Sequence, residues 1–376
     1  MIEQDKLFKA LAKIGINFYT GVPDSFLNDF CSYLSKNMPN NQHVMAANEG
    51  NAIGIAVGNY LSTGNIPLVY MQNSGIGNAT NPLLSLAHST VYSIPMILLI
   101  GWRGDPSIND HAQHRKQGEL TTVLLKDMDI KYDILDDEKT VIDKFQWAHD
   151  TAKSEKSPVA LIAKKGILTQ KEKHQNYPDS PLMSREEAIS EIIDLLGEDA
   201  VYLATTGRAT RELHEQLAIH GISQDIEFLN VGAMGHLSSI GLGIALGAPT
   251  KRIVVFDGDA AAVMHMGCLA TNGRYRPNNL IHIILNNGVN ESVGGQPSSG
   301  HSINMTEIAN ACGYLTPDSH VSRKEDLLIS AKALLSQNRL SFIDVHVRQG
   351  IRNDIPKLQI NHLDKKEKLM KYIREK

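Results

Sequence analysis

The stretch Ile253–Asn290, IVVFDGDAAAVMHMGCLATNGRYRPNNLIHIILNNGVN, decides how this chain folds. Its first apolar run, Ile253–Phe256, fits a buried parallel strand. The run ends in Asp257-Gly258-Asp259, where the chain must turn and present carboxylates. A helical pattern follows over Ala260–Thr271, and a second apolar strand, Leu280–Leu285, runs into Asn286-Asn287-Gly288. In a βαβ unit both parallel strands end at one edge of the sheet, where ligands bind. Asp259 and Asn287 are therefore expected to meet in space. A carboxylate and an amide oxygen form a hard, oxygen-only ligand set. It suits Mg2+ that is also held by a ligand's phosphates, because Mg2+ keeps few protein ligands. Asp-Gly and Asn-Gly are also common turn pairs, so this stretch by itself leaves both explanations open.

The whole chain narrows the choice. Its 376 residues allow two domains, each large enough to bury a core. Hydrophobic residues make up 42% and charged residues 21%, as in ordinary soluble globular proteins. A net charge of −4 gives no footprint for nucleic acid or an anionic membrane. Three cysteines, Cys31, Cys268 and Cys312, form no CxxC pair, which argues against a disulfide framework or zinc site. No apolar run approaches the length of a membrane span. The N-terminal MIEQDKLFKAL is a charged helix start rather than a signal segment, and the cytoplasm is the expected compartment.

Strands and helices alternate along both halves. Ile16–Thr20, Val44–Ala46, Pro67–Met71, Met96–Ile100 and Val159–Ala163 are expected strands of the first half, with helices at Glu49–Leu61 and Asn78–His88 among them. Val201–Ala204, Ile226–Val231, Ile253–Phe256, Leu280–Leu285 and Phe342–Val347 are those of the second. Such alternation predicts α/β architecture with two doubly wound parallel-sheet domains. The polar stretch TQKEKHQNYPDSP, Thr169–Pro181, reads as an interdomain connection. The expected division is a first domain over 1–168, a linker over 169–183 and a second domain over 184–376. Ser184-Arg185-Glu186-Glu187 fits a capping box before a helix reaching Leu196, and Lys365–Lys376 is an expected peripheral helix.

Candidate site segments cluster after strands. They are Gly21-Val22-Pro23-Asp24-Ser25, Asn48-Glu49-Gly50-Asn51-Ala52, Gln72–Asn78 and Gly101-Trp102-Arg103-Gly104, followed by the histidine-containing run His111–Gly118. In the second half they are Thr205-Thr206-Gly207-Arg208 and Gly232-Ala233-Met234-Gly235-His236. Each has an ordinary explanation. Glu49 can stabilise a helix start through the dipole, Thr206 can cap a helix, and Met234 can fill a core. His111 and His114 have no third nitrogen or sulfur ligand spaced for a metal. Arg103, His111, His114, Arg115 and Lys116 can form a solvated basic loop, or can meet an anionic substrate. Gly241, Gly243 and Gly247 fall inside an expected helix, which excludes a dinucleotide fingerprint.

Taken together, these segments resemble the thiamine diphosphate (ThDP) enzymes. Their metal and diphosphate motif, GDG followed by a spacer and NN, is matched by Gly258-Asp259 and Asn286-Asn287, with Ala260 in place of the third glycine. GVPDS, NEGNA, QNSGIGN and GWRG resemble the phosphonopyruvate decarboxylase branch, with sulfopyruvate decarboxylases as near relatives. The resemblance implies the ThDP-binding fold, with a pyrimidine-binding domain before a diphosphate-binding domain and no middle domain. It implies that Glu49 contacts N1′ of the aminopyrimidine and so activates the 4′-amino group as the catalytic base. It implies that Thr206, Gly207, Gly258, Asp259 and Ala260 bind the diphosphate end, that Met234 wedges under the bent cofactor, and that Asp259, Asn287 and the Val289 carbonyl hold Mg2+. Substrate-binding residues implied at the first-half loops are Asp24, Ser25, Asn73, Arg103, His111 and His114. The implied reaction is decarboxylation of 3-phosphonopyruvate to phosphonoacetaldehyde and CO2 through a ylid and an enamine. The implied assembly is a homo-oligomer with its site at a subunit interface. Sulfopyruvate decarboxylation, an acetolactate-type carboligase and a non-catalytic ThDP-binding subunit are the alternatives. Related sequences often carry histidine where Asn290 stands, which leaves the proton donor to the product open.

Overall fold

A computed structural model of the chain describes residues 2–168, 180–352, 354–356 and 358–374. Most of the expected linker, residues 169–179, lies outside the described residues. The chain forms two compact units. The first holds the described residues up to 168 together with Ser292–Gln296, and the second holds the described residues from 180 to Glu291 and from Pro297 onward.

The strands of the first unit are β1 (Tyr19–Gly21), β2 (His43–Met45), β3 (Leu68–Gln72), β4 (Met96–Gly101), β5 (Lys131–Leu135) and β6 (Pro158–Ala163). Its helices are α1 (Gln4–Ile14), α2 (Asn28–Asn37), α3 (Glu49–Thr63), α4 (Ile76–Pro82), α5 (Ala112–Asp127) and α6 (Val141–Glu155). The strands lie in the order β2-β1-β3-β4-β6-β5, and every neighbouring pair is parallel. The near-continuous apolar runs have a direct cause, because the sheet is covered on both faces. Side chains alternate between two cores. Tyr70, Ile97, Leu99 and Leu161 pack with Leu7, Phe30 and Phe145 from α1, α2 and α6. Met71, Leu98, Ile100 and Ile162 pack with Ile53, Ala79 and Leu125 from α3, α4 and α5.

The second unit repeats this scheme. It contains α7 (Arg185–Leu196), β7 (Ala200–Ala204), α8 (Arg208–Ile219), β8 (Glu227–Leu229), α9 (Leu237–Gly247), β9 (Arg252–Gly258), α10 (Asp259–Met264), α11 (Gly267–Tyr275) and β10 (Leu280–Asn286). Two-residue strands β11 (Val289–Asn290) and β12 (Gln296–Pro297) follow in the chain, then α12 (Met305–Ala311), α13 (Lys324–Leu335), β13 (Ser341–His346) and α14 (His362–Arg374). The sheet order is β13-β10-β9-β7-β8, again all parallel. Val254, Phe256 and Ile283 enter a core with α7, α8 and α13, while Ile253, Val255 and Ile284 face α9, α12 and α14.

Local readings succeed where chemistry is local. Ser184 and Glu187 form both hydrogen bonds of the capping box, so α7 starts where the sequence places it. Three expectations are corrected. The helix expected over Asn78–His88 is α4 from Ile76 to Pro82, followed by a wider π turn at Leu83–Ala87. The helix expected over Ala260–Thr271 breaks at His265, whose backbone leaves the helical region, and gives α10 and α11. Strand β5 was not expected, because its sequence KYDIL is an edge strand with exposed polar residues rather than an apolar run. Among the described residues no helix is long and apolar enough to cross a membrane.

Leu99 is fully buried in central β4, whereas Tyr132 on edge strand β5 is 37% exposed. Leu99→Ala is expected to cost about 2–5 kcal/mol of stability in a chemical denaturation curve. Tyr132→Ala should shift the same transition by no more than about 1 kcal/mol.

Candidate active site

In the first unit the C-terminal strand edge gathers four of the segments singled out in sequence. Asn48 caps α3 by accepting from the Asn51 N–H at 2.9 Å, and Glu49 is the first helical residue. Its side chain is 5% exposed. Asn78 Nδ2 donates to Glu49 Oε2 at 2.7 Å, which fixes one carboxylate oxygen and leaves Oε1 as a further acceptor. The turn Asn73–Gly75 closes the other side. A Cβ on Gly75 would lie 2.5 Å from Glu49 Cγ and Oε1, so only glycine admits this approach. Asn78 was inside a stretch flagged in sequence, yet nothing local announces that it orients Glu49.

The six candidate substrate residues divide by their partners. Asp24 is fully buried and accepts from the Phe26 N–H at 3.0 Å and Gln72 Nε2 at 2.8 Å. Burial pushes its carboxyl above the ordinary range, although Gln72, the Phe26 N–H and Arg103 pull the other way. Asn73 Nδ2 donates to the Arg103 carbonyl at 2.7 Å and to Thr121 Oγ1 at 2.9 Å, so this amide ties adjoining loops together. Arg103 Nη1 reaches Ser25 Oγ at 3.2 Å, and its guanidinium lies 4.9 Å from the centre of the Phe26 ring. His114 approaches the same group through Asp110. His111 is exposed, with its ring 6.2 Å from that of His114, and Arg115 and Lys116 are exposed on α5. The structure therefore brings Ser25, Arg103 and His114 together and uses Asp24 and Asn73 as scaffold.

Asp110 is the residue that links this cluster, and it was not singled out in sequence. It takes a two-pronged bond from Arg103, with Nε and Nη2 each 2.8 Å from its oxygens, and its Oδ1 lies 3.3 Å from His114 Nδ1. The backbone N–H groups of Gly104 and His111 donate to it at 2.9 and 2.7 Å. Burial alone would raise the Asp110 carboxyl. Arg103, the two backbone donors and His114 outweigh it and hold the group far below the usual carboxylate range. At His114 burial, followed by repulsion from Arg103, lowers the imidazole despite the favourable Asp110 contact.

In the second unit β9 and β10 are paired so that Leu285 lies opposite Gly258, which brings the two strand ends together. Asp259 is 2% exposed. Its carboxylate accepts from Ser298 Oγ and from the backbone N–H groups of Asp259 and Asn287. Burial still pushes it above the ordinary range, against those donors and His301. A Cβ on Gly300 would lie 2.4 Å from Asp259 Oδ2, so the main chain there seals the carboxylate. Asn287 donates from Nδ2 to Glu291 Oε2 at 3.1 Å, and its Oδ1 accepts from the Val289 N–H at 3.2 Å. A carboxylate only accepts, so Glu291 turns the amide nitrogen toward itself and the oxygen away.

Thr205-Thr206-Gly207 leads into α8 beside this turn, with Thr205 Cγ2 3.7 Å from the position of a Cβ on Gly258. No side chain caps α8, and the buried Thr205 Oγ1 has no hydrogen-bond partner. A helix start without a side-chain cap, next to an unpartnered hydroxyl, fits an anionic ligand such as a diphosphate. The buried oxygen set of Asp259 and Asn287 likewise fits a small hard cation. Met234 is half-buried in the turn before α9, which is held by His236 Nδ1 at 3.2 Å from both the Ala233 and Met234 carbonyls. Ala260 is the second residue of α10, directly after Asp259.

Known proteins match this arrangement over both units. The family described as thiamine pyrophosphate enzyme, N-terminal TPP binding domain, matches residues 4–125. The thiamine pyrophosphate enzyme C-terminal TPP binding domain matches residues 205–345. Phosphonopyruvate decarboxylase from Streptomyces viridochromogenes is 30% identical over 366 residues, covering 93% of this chain and 89% of that protein. Sulfopyruvate decarboxylase from Methanosarcina acetivorans is 26% identical over 379 residues, 93% of this chain and 92% of its own length. The beta subunit of sulfopyruvate decarboxylase from Methanothermobacter thermautotrophicus is 32% identical over 194 residues, 52% of this chain but 96% of that subunit. The chain belongs to the thiamine pyrophosphate enzymes, in the branch that contains phosphonopyruvate and sulfopyruvate decarboxylases.

The depressed carboxyl of Asp110 makes a pH prediction. A group whose folded-state pKa is lowered contributes stability above its unfolded value, about 3.9 for aspartate, and loses it as pH falls toward the folded value. Asp110→Asn should therefore be less stable than the wild type at pH 7, and the gap should already be shrinking at pH 4. Urea unfolding at the two pH values measures this.

Proposed function

We propose that this chain is a ThDP- and Mg2+-dependent decarboxylase that converts 3-phosphonopyruvate to phosphonoacetaldehyde and CO2. The observation that carries the reading is the Glu49 carboxylate, buried at the start of α3 with one oxygen held by Asn78 and the other still able to accept. Thiamine diphosphate, when bound, supplies the electron sink for the charge that departing CO2 leaves behind. Glu49 would share a proton with the aminopyrimidine nitrogen N1′ and so set the protonation state of its amino group. Thr206, Gly207, Gly258 and Ala260 would hold the diphosphate end, Met234 would support the cofactor from below, and Asp259, Asn287 Oδ1 and the Val289 carbonyl would hold Mg2+.

Substrate choice falls to the first-unit loops. Arg103, Ser25 and His114 form the cationic and polar group offered to the substrate's anionic end, with His111 at its exposed margin. Arg103 is already paired with Asp110 in a fork, so an incoming anion must compete with a carboxylate for it. Phosphonate can carry two negative charges and sulfonate one, which favours phosphonopyruvate in that competition. The 30% identity to a phosphonopyruvate decarboxylase across nearly the whole chain supports the same choice. Half-length sulfopyruvate decarboxylase subunits support the reading that the chain works as a homo-oligomer with its site at a subunit interface. Three free cysteines support a reducing compartment, the cytoplasm.

Purified chain with ThDP and Mg2+ should release CO2 from phosphonopyruvate with a higher kcat/KM than from sulfopyruvate, and the reverse order would reassign the substrate. Glu49→Gln should keep the wild-type circular dichroism spectrum and lose roughly 100-fold or more of turnover. Near-wild-type turnover in that variant would remove Glu49 from the reaction.

A further inference from the structure

The strongest feature outside the proposed contacts is a buried charged cluster behind Asn287. Glu291 is 8% exposed, and it stands directly after the stretch Ile253–Asn290. Its Oε2 accepts from Asn287 Nδ2 at 3.1 Å and from Arg185 Nη1. Its Oε1 lies 2.9 Å from Arg208 Nη1 and accepts from the Gly350 N–H. Arg185 is fixed in turn by a second fork, with Nε and Nη2 at 2.9 and 3.0 Å from the Glu212 carboxylate. The Glu291 carboxylate is therefore clamped by two guanidiniums and a backbone amide, and it spends one acceptor direction on a neutral side-chain amide.

That expenditure has one geometric consequence. Asn287 has two ends that differ little in shape and entirely in chemistry, and either end can be turned toward Asp259. An acceptor-only carboxylate opposite Nδ2 makes the flipped orientation place oxygen against oxygen inside a buried site. From this we infer that Glu291 is a positioning residue for the cation site: it turns Asn287 so that Oδ1, rather than Nδ2, is presented as a ligand. This rests on the proposed Mg2+ role of Asn287 and goes beyond it, because it assigns the residue that makes that role possible. Arg185 and Arg208 hold the carboxylate in place. Residues behind a metal ligand commonly act in this way, and their loss weakens metal binding without removing a ligand.

The test is binding, read without turnover. Apoprotein with saturating ThDP is titrated with Mg2+, and uptake is followed by isothermal calorimetry. Glu291→Gln should raise the Mg2+ concentration for half-saturation by roughly 10–100-fold. Added Mg2+ should then restore its kcat, with KM for the 2-oxo acid unchanged. Glu212→Gln disturbs the same ion cluster at Arg185 without touching Asn287, and it should leave the Mg2+ requirement at the wild-type value. An equal shift in both variants would mean general damage to the cluster and would overturn the inference. Asn287→Asp decides the matter if Glu291→Gln does not fold, because it leaves Arg185 paired. A carboxylate added to a hard-cation site ordinarily tightens binding, but facing Glu291 it should bind Mg2+ more weakly than the wild type, and tighter binding would overturn the inference. If the wild-type chain itself took up no Mg2+ with ThDP, the proposed cofactor site would fall; if it did and Glu291→Gln matched it, only the role of Glu291 would.

Discussion

Burial of the Asp259 carboxylate is the constraint on which the second unit's strand edge depends. At 2% exposure it has lost almost all contact with water, and an ionised carboxylate in that position must be repaid by donors or by a cation. Ser298 and two backbone N–H groups answer part of the charge. The upward push on the carboxyl shows that they leave a remainder. This imbalance explains several features at once. β9 and β10 must end in register so that the Asn287 N–H can reach the carboxylate. Gly300 must be glycine so that the main chain can close over it. A site left short of positive charge in this way fits a divalent cation with oxygen ligands better than it fits a purely structural ion pair.

The first unit resolves its buried charge differently. Asp110 receives a complete set of partners within its own loop and α5, and its carboxyl is held low rather than high. Arg103 is consequently held over Phe26 and within reach of Ser25. The contrast between Asp259 and Asp110 separates two uses of a buried carboxylate. One is under-compensated, with burial still pushing its carboxyl up, and the other is fully compensated and fixes a neighbour's position.

Much of the fold was legible because parallel strands covered on both faces leave unbroken apolar runs. All five strands expected in the second half are present, though β8 is only the three residues Glu227–Leu229. β5 was not legible, since an exposed edge strand has no such run. The break at His265 between α10 and α11 was also hidden, because both pieces have helical composition and the break is a backbone event. At the strand edges, Glu49, Asp259 and Asn287 stood out because each comes shortly after an expected strand, Glu49 and Asp259 at helix starts and Asn287 in a turn. Asn78, Asp110 and Glu291 did not, although all three lie in or beside flagged stretches. Their parts are defined by partners: Glu49 for Asn78, Arg103 for Asp110, and Arg185 for Glu291, which is far away in sequence. A loop sequence shows that polar groups are available, but it does not show which of them face one another.

The same backbone device recurs in both units, and it leaves the main chain beside such carboxylates no room for a side chain. A Cβ on Gly75 would sit 2.5 Å from Glu49 Oε1, one on Gly101 would sit 2.0 Å from Asp24 Oδ2, and one on Gly300 would sit 2.4 Å from Asp259 Oδ2. In each case bare main chain fills the space that a side chain or water would otherwise occupy beside a buried carboxylate. Main chain is the better seal there. It excludes water, which strengthens every electrostatic interaction the carboxylate makes, and unlike a side chain it has no rotamers through which the seal could open. The alanine methyl that would be harmless on an exposed loop would here displace the acid itself. Pattern at these positions therefore reflects the carboxylate behind the glycine as much as the turn in which the glycine sits.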